Sequence, residues 1–235
     1  MTEGVAVVVG VGPGLGWALA KRFYQEGLQV VCAARSIGRL QALAKRDQLE
    51  AVRFHACDVT EAANVSDLFA TINESVGPPA VVVFNVGAYE RGNILDLRPE
   101  DFERCWRIGC FGGLLVGQAA ARLMVPRGSG TIIFTGATAS LRGSAGFANL
   151  AVPKFGLRAL AQSMARELGP HGIHVAHVII DGQIASERYE HLAAERGPDS
   201  LLIPDEIARA YWHLYCQHPS TWTHELDLRP WVERF

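Results

Sequence analysis

Short apolar runs alternate along the chain with longer segments in which apolar residues recur at helical spacing. Six runs rich in β-branched residues stand at 5–9, 29–33, 52–56, 80–84, 131–135 and 174–180. Because they are continuously apolar, these runs are typical of strands buried on both faces. Helical spacing marks the segments 14–26, 37–47, 61–76, 99–124, 150–168 and 204–217, and a last strand is expected at 222–227.

This alternation predicts an α/β fold with a doubly wound parallel sheet of about seven strands, the Rossmann fold. No repeat or linker-like change of composition divides the chain, so we expect one domain over residues 1–235. In such sheets, ligands bind at the carboxyl ends of the strands. The long polar segment 185–203 follows one of these ends, and we expect it to act as a mobile lid over a substrate.

The composition is that of a globular protein and argues against some classes of partner. Of 235 residues, 49% are hydrophobic and 20% are charged, which is enough apolar material for one large core. The formal net charge of -2 gives no reason to expect nucleic acid or an anionic membrane as a partner. We find no secretion signal and no apolar stretch long enough to span a membrane, which predicts a cytoplasmic protein.

Neither the cysteines nor the histidines predict a metal site. The five cysteines show no metal-like spacing, and we interpret them as reduced residues. His174 and His177 lie three residues apart in a predicted strand, so their side chains point to opposite faces. Together with His171, they are not expected to converge on one ion.

A glycine-rich turn, GVGPGLG, follows the first predicted strand and leads into a predicted helix. Gly10, Gly12, Gly14 and Gly16 allow a sharp turn and let backbone N–H groups approach a pyrophosphate. The positive end of the helix favours the negative charge of that group. A strand before the turn and a helix after it are the context that a dinucleotide-binding signature requires. We therefore predict a dinucleotide site here.

The end of the second strand indicates which dinucleotide is bound. An acid at this point is typical of NAD sites because it accepts hydrogen bonds from the ribose, whereas a phosphate on that ribose requires a cation. This strand is followed by Arg35 and Ser36. Arg35 can pair with the 2′-phosphate, and Ser36 can add a hydroxyl donor. We predict NADP(H) rather than NAD(H); the alternative is that Arg35 is only a solvated residue at the strand end.

These residues resemble the motifs of the short-chain dehydrogenase/reductase family over nearly the whole chain. Gly10, Gly14 and Gly16 match its first motif. Asp58 in CDVT resembles the family aspartate near the adenine, and FNVG, with Asn85 and Gly87, resembles its Asn-Asn-Ala-Gly motif. The resemblance implies further cofactor contacts from four residues, Leu15, Val59, Gly182 and Ile184.

The family's catalytic residues are an Asn-Ser-Tyr-Lys set, of which only the lysine is matched, by Lys154. In the family, the tyrosine exchanges a proton with the substrate oxygen, and the lysine assists it and holds the nicotinamide ribose. By the family's spacing, Leu150 replaces the tyrosine, Ala137 the serine and Gly109 the asparagine. The cofactor half of the family pattern is largely kept, whereas most of the catalytic half is lost.

Two further departures fall in the same region. Pro153 precedes Lys154 and predicts a helix that starts late or bends at this point. Asp181, followed by Gly182, replaces the proline of the family's Pro-Gly pair and is expected to bring a carboxylate near the nicotinamide end.

Several side chains are alternative groups for handling a proton or a carbonyl. Tyr89 follows the fourth strand, and Tyr189 lies in the expected lid. Thr138 and Ser140 carry hydroxyls near the position of the family serine. Lys154 itself can donate a proton if burial lowers its pKa.

Two functions follow from these observations. The first is an NADP(H)-dependent oxidoreductase that acts on an alcohol or carbonyl group with weak or atypical catalysis. The second is a non-catalytic protein that binds the dinucleotide as a sensor or a structural subunit. The resemblance also implies a homodimer or homotetramer packed through the helices at 99–124 and 150–168.

Overall fold

The computed structural model of the protein describes residues 4–49 and 51–233; residues 1–3, 50 and 234–235 of the expected domain lie outside it. The strands are β1 (Val5–Val9), β2 (Gln29–Ala34), β3 (Arg53–Ala56), β4 (Val81–Phe84), β5 (Gly130–Thr135), β6 (Ile173–Ile180) and β7 (Glu225–Leu228). The α-helices are α1 (Leu15–Gln25), α2 (Gly38–Arg46), α3 (Ala62–Ser75), α4 (Pro99–Trp106), α5 (Gly112–Met124), α6 (Ala148–Leu168), α7 (Glu190–Arg196) and α8 (Pro204–Tyr215).

The seven strands form one parallel sheet in the order β3-β2-β1-β4-β5-β6-β7. This confirms the predicted doubly wound α/β fold. The direction of winding reverses between β1 and β4, so the carboxyl ends of these two strands meet at the switch point where ligands bind in such sheets.

Two apolar layers cover the sheet, one on each face. One layer includes α1 and α8, and the other includes α3, α5 and α6. The central strands β1 and β4 are buried along their whole length, as their uninterrupted valine runs predict. The carboxyl edge of the sheet is therefore held by a rigid core, and the loops at that edge are placed precisely.

The helix predicted over 99–124 is interrupted. Between α4 and α5 the backbone forms a π turn, Arg107–Phe111, with Gly109 buried inside it. Counted together, α4, the π turn, α5 and the 3-10 turn that follows form the helical stretch Pro99–Arg127. By length and composition alone, this stretch is long and apolar enough to cross a membrane, which corrects our expectation that no stretch qualifies. Its apolar side packs on α3, α6 and the sheet, and we interpret it as a core helix.

Helix α6 begins at Ala148, before the predicted start and well before Pro153, which corrects the expectation of a late start. The proline lies in the second turn, where its missing N–H removes a hydrogen bond that would otherwise go back to the carbonyl of Asn149. The ring is buried against the π turn. Burial of the ring compensates for the interrupted hydrogen-bond ladder.

The last strand and the expected lid also differ in detail from the sequence pattern. Strand β7 begins at Glu225, three residues after the predicted start, and a 3-10 turn, Pro219–Thr221, precedes it. The segment 185–203 is not irregular throughout, since it contains a 3-10 turn at Glu187–Tyr189 and the short helix α7. Most of this segment is exposed.

Candidate functional site

The glycine turn after β1 is locked to the end of β4. Gly10 has a positive φ of 89°. A Cβ added to it would lie 2.7 Å from the carbonyl oxygen of Asn85, so only glycine fits. The Asn85 side-chain amide donates a hydrogen bond to the Gly10 carbonyl, with an N···O distance of 3.1 Å. The switch point of the sheet is therefore a fixed structure.

The remaining glycines of the turn divide into two roles. Gly16 packs against the turn, since an added Cβ would lie 2.7 Å from the Cα of Val11. Gly12 and Gly14 have no described atom within 4 Å of an added Cβ, so they leave open space above the backbone. The N-cap residue of α1, Gly14, has no side chain to cap the helix. The Trp17 and Ala18 N–H groups donate to carbonyls of the turn, so the N–H groups of Leu15 and Gly16 are the ones that suit an anion.

A cavity of about 560 Å³ opens above this turn. It is lined by the carboxyl ends of β1, β2 and β4 and by the loop after β3. Eight of the predicted cofactor residues line it: Gly10, Gly12, Arg35, Ser36, Asp58, Val59, Asn85 and Gly87. Its dimensions and position at the switch point are those of a ligand site.

The other predicted cofactor residues do not line this cavity. Leu15 and Gly16 are buried in the first turn of α1, and Gly14 is half-buried at its N-cap. Gly182 follows β6, where an added Cβ would lie 2.8 Å from the Pro230 ring. Ile184 forms a parallel bridge with Leu202. Gly182 and Ile184 thus belong to a second part of the carboxyl edge.

Arg35 and Asp58 bring opposite charges to the cavity rim. The Thr60 N–H and hydroxyl donate to the Asp58 carboxylate at 2.9 and 2.8 Å. The pKa of Asp58 is lowered, chiefly by the Thr60 backbone hydrogen bond and also by the positive charge of Arg35. Arg35 itself is exposed, so its guanidinium is available to a ligand.

Lys154 is buried on α6, with its ammonium directed at the switch point. Its Nζ donates to the Thr135 carbonyl at 2.7 Å and to the Val86 carbonyl at 3.5 Å. A Cβ added to Gly87 would lie 3.8 Å from this nitrogen, so the cation lies beside a residue that lines the cavity. Burial lowers the pKa of Lys154 to about 8.

Comparison with known proteins identifies this arrangement. The model of the short chain dehydrogenase family matches residues 4–196. The chain belongs to the short-chain dehydrogenase/reductase family. A curated relative, "(21S)-21-acetoxyl-apo-melianone synthase SDR" from Melia azedarach, is 34% identical over 231 residues, which cover 92% of this chain and 84% of the relative.

Solved structures of the family superpose over nearly the whole chain. A short-chain dehydrogenase from Rhodopseudomonas palustris is 39% identical, with a TM-score of 0.83 over 98% of this chain and 100% of its own. An alcohol dehydrogenase from Thermococcus sibiricus, solved in complex with 5-hydroxy-NADP, is 25% identical, with a TM-score of 0.86 over 99% and 98% of the two chains.

The positions assigned to the family's tyrosine, serine and asparagine carry no proton-transferring side chain. Leu150 is half-buried one helical turn before Lys154. Ala137 precedes the 3-10 turn Thr138–Ser140. Gly109 lies in the π turn, where an added Cβ would lie 3.1 Å from the Cβ of Pro153. The structure thus brings these three positions to the same region as Lys154.

The alternative hydroxyl groups fall in different environments. Tyr89 lines the cavity, and its ring stacks on Phe147 with centroids 5.0 Å apart. Tyr189 lies in the 3-10 turn of the expected lid. The half-buried Thr138 hydroxyl donates to the Asp181 carboxylate at 2.5 Å. Sequence reasoning treated Thr138 and Asp181 separately and missed this pairing.

Ser140 belongs to a buried chain of polar groups that sequence reasoning did not find. Its hydroxyl lies 3.5 Å from His177 Nε2, and His177 Nδ1 lies 3.6 Å from the Glu225 carboxylate. Arg158 donates two hydrogen bonds of 2.7 Å to the same carboxylate. Burial lowers the pKa of His177 to about 4, so the ring is neutral. A histidine in an otherwise apolar strand was the only signal for this chain of contacts.

The histidines of β6 each have a partner outside a metal site. The His174 ring stacks on Trp222 at a centroid distance of 5.0 Å, and its Nε2 lies 2.8 Å from the Thr223 carbonyl. Within residues 4–49 and 51–233, no group of three or more histidine, cysteine or acidic side chains is arranged to hold a metal ion.

Proposed function

We propose that the protein binds NADP(H) and is an oxidoreductase that interconverts an alcohol and a carbonyl compound. The observation that supports this most directly is the position of Lys154. Placing a buried ammonium on an apolar helix costs free energy. Its direction, towards the switch point and beside Gly87, supports a ligand-binding role for that cation.

The described residues fit two parts of the dinucleotide, the pyrophosphate and the adenosine ribose with its phosphate. The open backbone at Gly12 and Gly14 and the uncapped start of α1 suit a pyrophosphate. Arg35 and Ser36 at the end of β2 suit a phosphate on the adenosine ribose. The Thermococcus sibiricus structure was solved with 5-hydroxy-NADP, and a metagenomic family member, also 25% identical, was solved with NADP. The bound dinucleotide supplies a hydride donor or acceptor.

Lys154 has the hydrogen-bonding capacity for the role we propose. An ammonium has three N–H donors. In the part of the chain that the structure describes, the Thr135 and Val86 carbonyls accept two of them. We assign the third to the nicotinamide ribose. This function needs a cation but no tyrosine, which explains why the lysine is kept beside Leu150.

A second candidate function, non-catalytic binding of NADP(H), is supported by the residues at the positions of the family's tyrosine, serine and asparagine. Leu150, Ala137 and Gly109 have no proton to exchange, and general acid–base catalysis contributes about 10²- to 10⁴-fold in rate. A protein with these residues suits non-catalytic binding of NADP(H). Positioning of substrate and nicotinamide nevertheless accelerates hydride transfer by a comparable or larger factor, so oxidoreduction remains our first proposal.

Binding and turnover measured on the same variants distinguish the two functions. NADPH and NADH are titrated into the wild type, Lys154→Met and the exposed-lysine control Lys45→Met by tryptophan fluorescence. Alcohols with NADP⁺ and carbonyl compounds with NADPH are then screened for turnover. We expect NADPH binding and measurable turnover in the wild type and in Lys45→Met, and a loss of both in Lys154→Met. Tight NADPH binding by the wild type without turnover of any compound screened would support the non-catalytic function.

The assembly, lid and location of the protein are further proposals. Leu114 on α5 and Val152 and Phe155 on α6 are each at least 40% exposed, and we propose that these helices pack in a homodimer or homotetramer. We propose that residues 185–203 cover the substrate and that the protein is cytoplasmic. The oligomer proposal is tested by the mass in solution, and a monomeric mass would contradict it.

A further inference from the structure

Two residues that follow neighbouring strands form a short hydrogen bond at the carboxyl edge of the sheet. Thr138 lies just beyond β5, and Asp181 is the first residue after β6. The Thr138 hydroxyl donates to Asp181 Oδ1 at 2.5 Å. Asp181 is 4% exposed, whereas Thr138 is half-buried. A buried carboxylate therefore accepts the hydrogen of the hydroxyl of a partly exposed threonine.

The charge of Asp181 is balanced within the fold. Its second oxygen, Oδ2, lies 3.6 Å from the guanidinium of Arg229, and Arg229 also forms an ion pair with Asp227. A buried carboxylate is tolerated when it has such a partner and accepts hydrogen bonds. Asp181 thus has a cationic partner at Oδ2 and a hydroxyl donor at Oδ1.

The pair lies next to the residues assigned to the reacting end of the cofactor. Thr138 follows Ala137, the position of the family serine, and is three residues beyond Thr135, whose carbonyl holds Lys154. Asp181 directly precedes Gly182, a predicted cofactor contact, and is itself expected near the nicotinamide end. The hydroxyl and the carboxylate are consequently at the same edge of the sheet as the lysine.

We propose that Thr138 and Asp181 form the base of an alcohol dehydrogenase, with Thr138 as the catalytic residue and Asp181 acting through it. This inference rests on the proposed oxidoreductase function. The substrate hydroxyl gives its proton to Thr138 Oγ1 while Thr138 gives its own proton to Asp181 Oδ1. The carbinol C–H bond breaks, its hydride reduces the oxidised nicotinamide, and the C=O bond forms. The proton on Asp181 is then released to water.

The hydrogen-bond direction suits Thr138 to take up a proton from an alcohol. Because the Thr138 hydrogen is directed at a carboxylate, the hydroxyl presents lone pairs to a substrate. A lone pair accepts a proton from an alcohol, and in carbonyl reduction the same relay would run in reverse, from a protonated carboxyl through Thr138 to the carbonyl oxygen. The pair therefore takes up the proton that alcohol oxidation releases, and it does so without a tyrosine.

The test compares Thr138→Val, Thr138→Ser and Asp181→Asn with the wild type. Asp227→Asn is the matched control, since Asp227 pairs with the same arginine but not with Thr138. Two quantities are measured: alcohol-dependent reduction of NADP⁺, and the affinity of the NADP⁺ complex for trifluoroethanol, an alcohol that binds without turnover. The affinity for NADP⁺ alone is the control for folding.

We expect Thr138→Val and Asp181→Asn to lower kcat about 100-fold, as loss of a placed base does, with KM and NADP⁺ affinity little changed. Both should also weaken trifluoroethanol binding about tenfold. Thr138→Ser keeps a hydroxyl at this position and should retain turnover that Thr138→Val loses, whereas the control Asp227→Asn should remain within about threefold of the wild type for every quantity. If Thr138→Val does not fold, Asp181→Asn decides, because asparagine still accepts the hydroxyl hydrogen.

Wild-type turnover that survives both Thr138→Val and Asp181→Asn would overturn this inference alone. A wild type that binds NADP⁺ but oxidises no alcohol would overturn the oxidoreductase function and this inference with it.

Discussion

Pro153 and Gly109 occupy complementary positions: a side chain on Gly109 would begin 3.1 Å from the Cβ of the Pro153 ring. Gly109 is the position assigned to the family asparagine, and Pro153 directly precedes the lysine. The glycine in the π turn and the proline in α6 are therefore one packing arrangement. The helix that carries Lys154 packs closely on the π turn because position 109 is a glycine and not an asparagine.

This packing predicts that the asparagine cannot be restored by itself. Gly109→Asn should destabilise the fold by about 1–3 kcal/mol because the new side chain overlaps the Pro153 ring. Pro153→Ala in the same chain should recover part of that loss. A double-mutant cycle by urea unfolding measures the coupling between the two positions. Additive effects of the two substitutions would show that the positions do not interact.

Restoring the family tyrosine is expected to raise activity. Leu150 stands one turn before Lys154 on the same side of α6, so a phenol there would lie near the ammonium. We predict that Leu150→Tyr increases the rate of carbonyl reduction by NADPH at least about tenfold. Leu150→Phe, which has the ring without the hydroxyl, is the control and should give no increase. An equal gain in both variants would attribute the effect to packing.

The preference for NADPH is expected to depend on Arg35. Arg35→Ala should weaken NADPH binding about tenfold or more and leave NADH binding unchanged, because only NADPH carries the 2′-phosphate. Arg53→Ala is a suitable control, since Arg53 is exposed at the amino end of strand β3, whereas Arg35 lies at the carboxyl edge of the sheet. Calorimetric titration of both nucleotides measures the difference. Equal affinities of the wild type for NADPH and NADH would contradict the assignment of Arg35.

The neutral, buried His177 makes stability dependent on pH. Burial lowers its pKa to about 4 in the folded protein, while the unfolded chain has the ordinary value of 6.5. Between these values the unfolded state binds more protons, so the free energy of unfolding rises with pH from about 4 to 6.5. The full effect is roughly 3 kcal/mol.

This dependence is measured by urea unfolding of the wild type and His177→Gln across that pH range. The wild type should lose stability on acidification more steeply than the variant, which has no titrating ring. Parallel curves for the two proteins would show that His177 is not responsible.

The sequence predicted the fold best where a strand is buried on both faces of the sheet. Strands β1 and β4 are covered on both faces, and their valine runs identified them. Strand β7 was misplaced because none of its four residues is fully buried and two of them, Glu225 and Asp227, are charged. The start of α6 was misplaced because Pro153 breaks local helix rules, while its stabilising contact is with a distant residue, Gly109.

The candidate site shows the same division. The glycine turn, Arg35 and Lys154 were found from local patterns, because the turn and the strand ends impose their own residue requirements. The hydrogen bond between Thr138 and Asp181 joins residues 43 positions apart, and it exists only because β5 and β6 are neighbours in the sheet. No local pattern contains that contact.

Transfer of a labelled hydride tests the central claim most directly. The protein is mixed with NADP⁺ and secondary alcohols deuterated at the carbinol carbon, and the nucleotide is analysed by mass spectrometry. Our account predicts deuterated NADPH in the wild type and none in Lys154→Met. NADP⁺ that binds but remains unlabelled with every alcohol would contradict it and support a non-catalytic dinucleotide-binding protein.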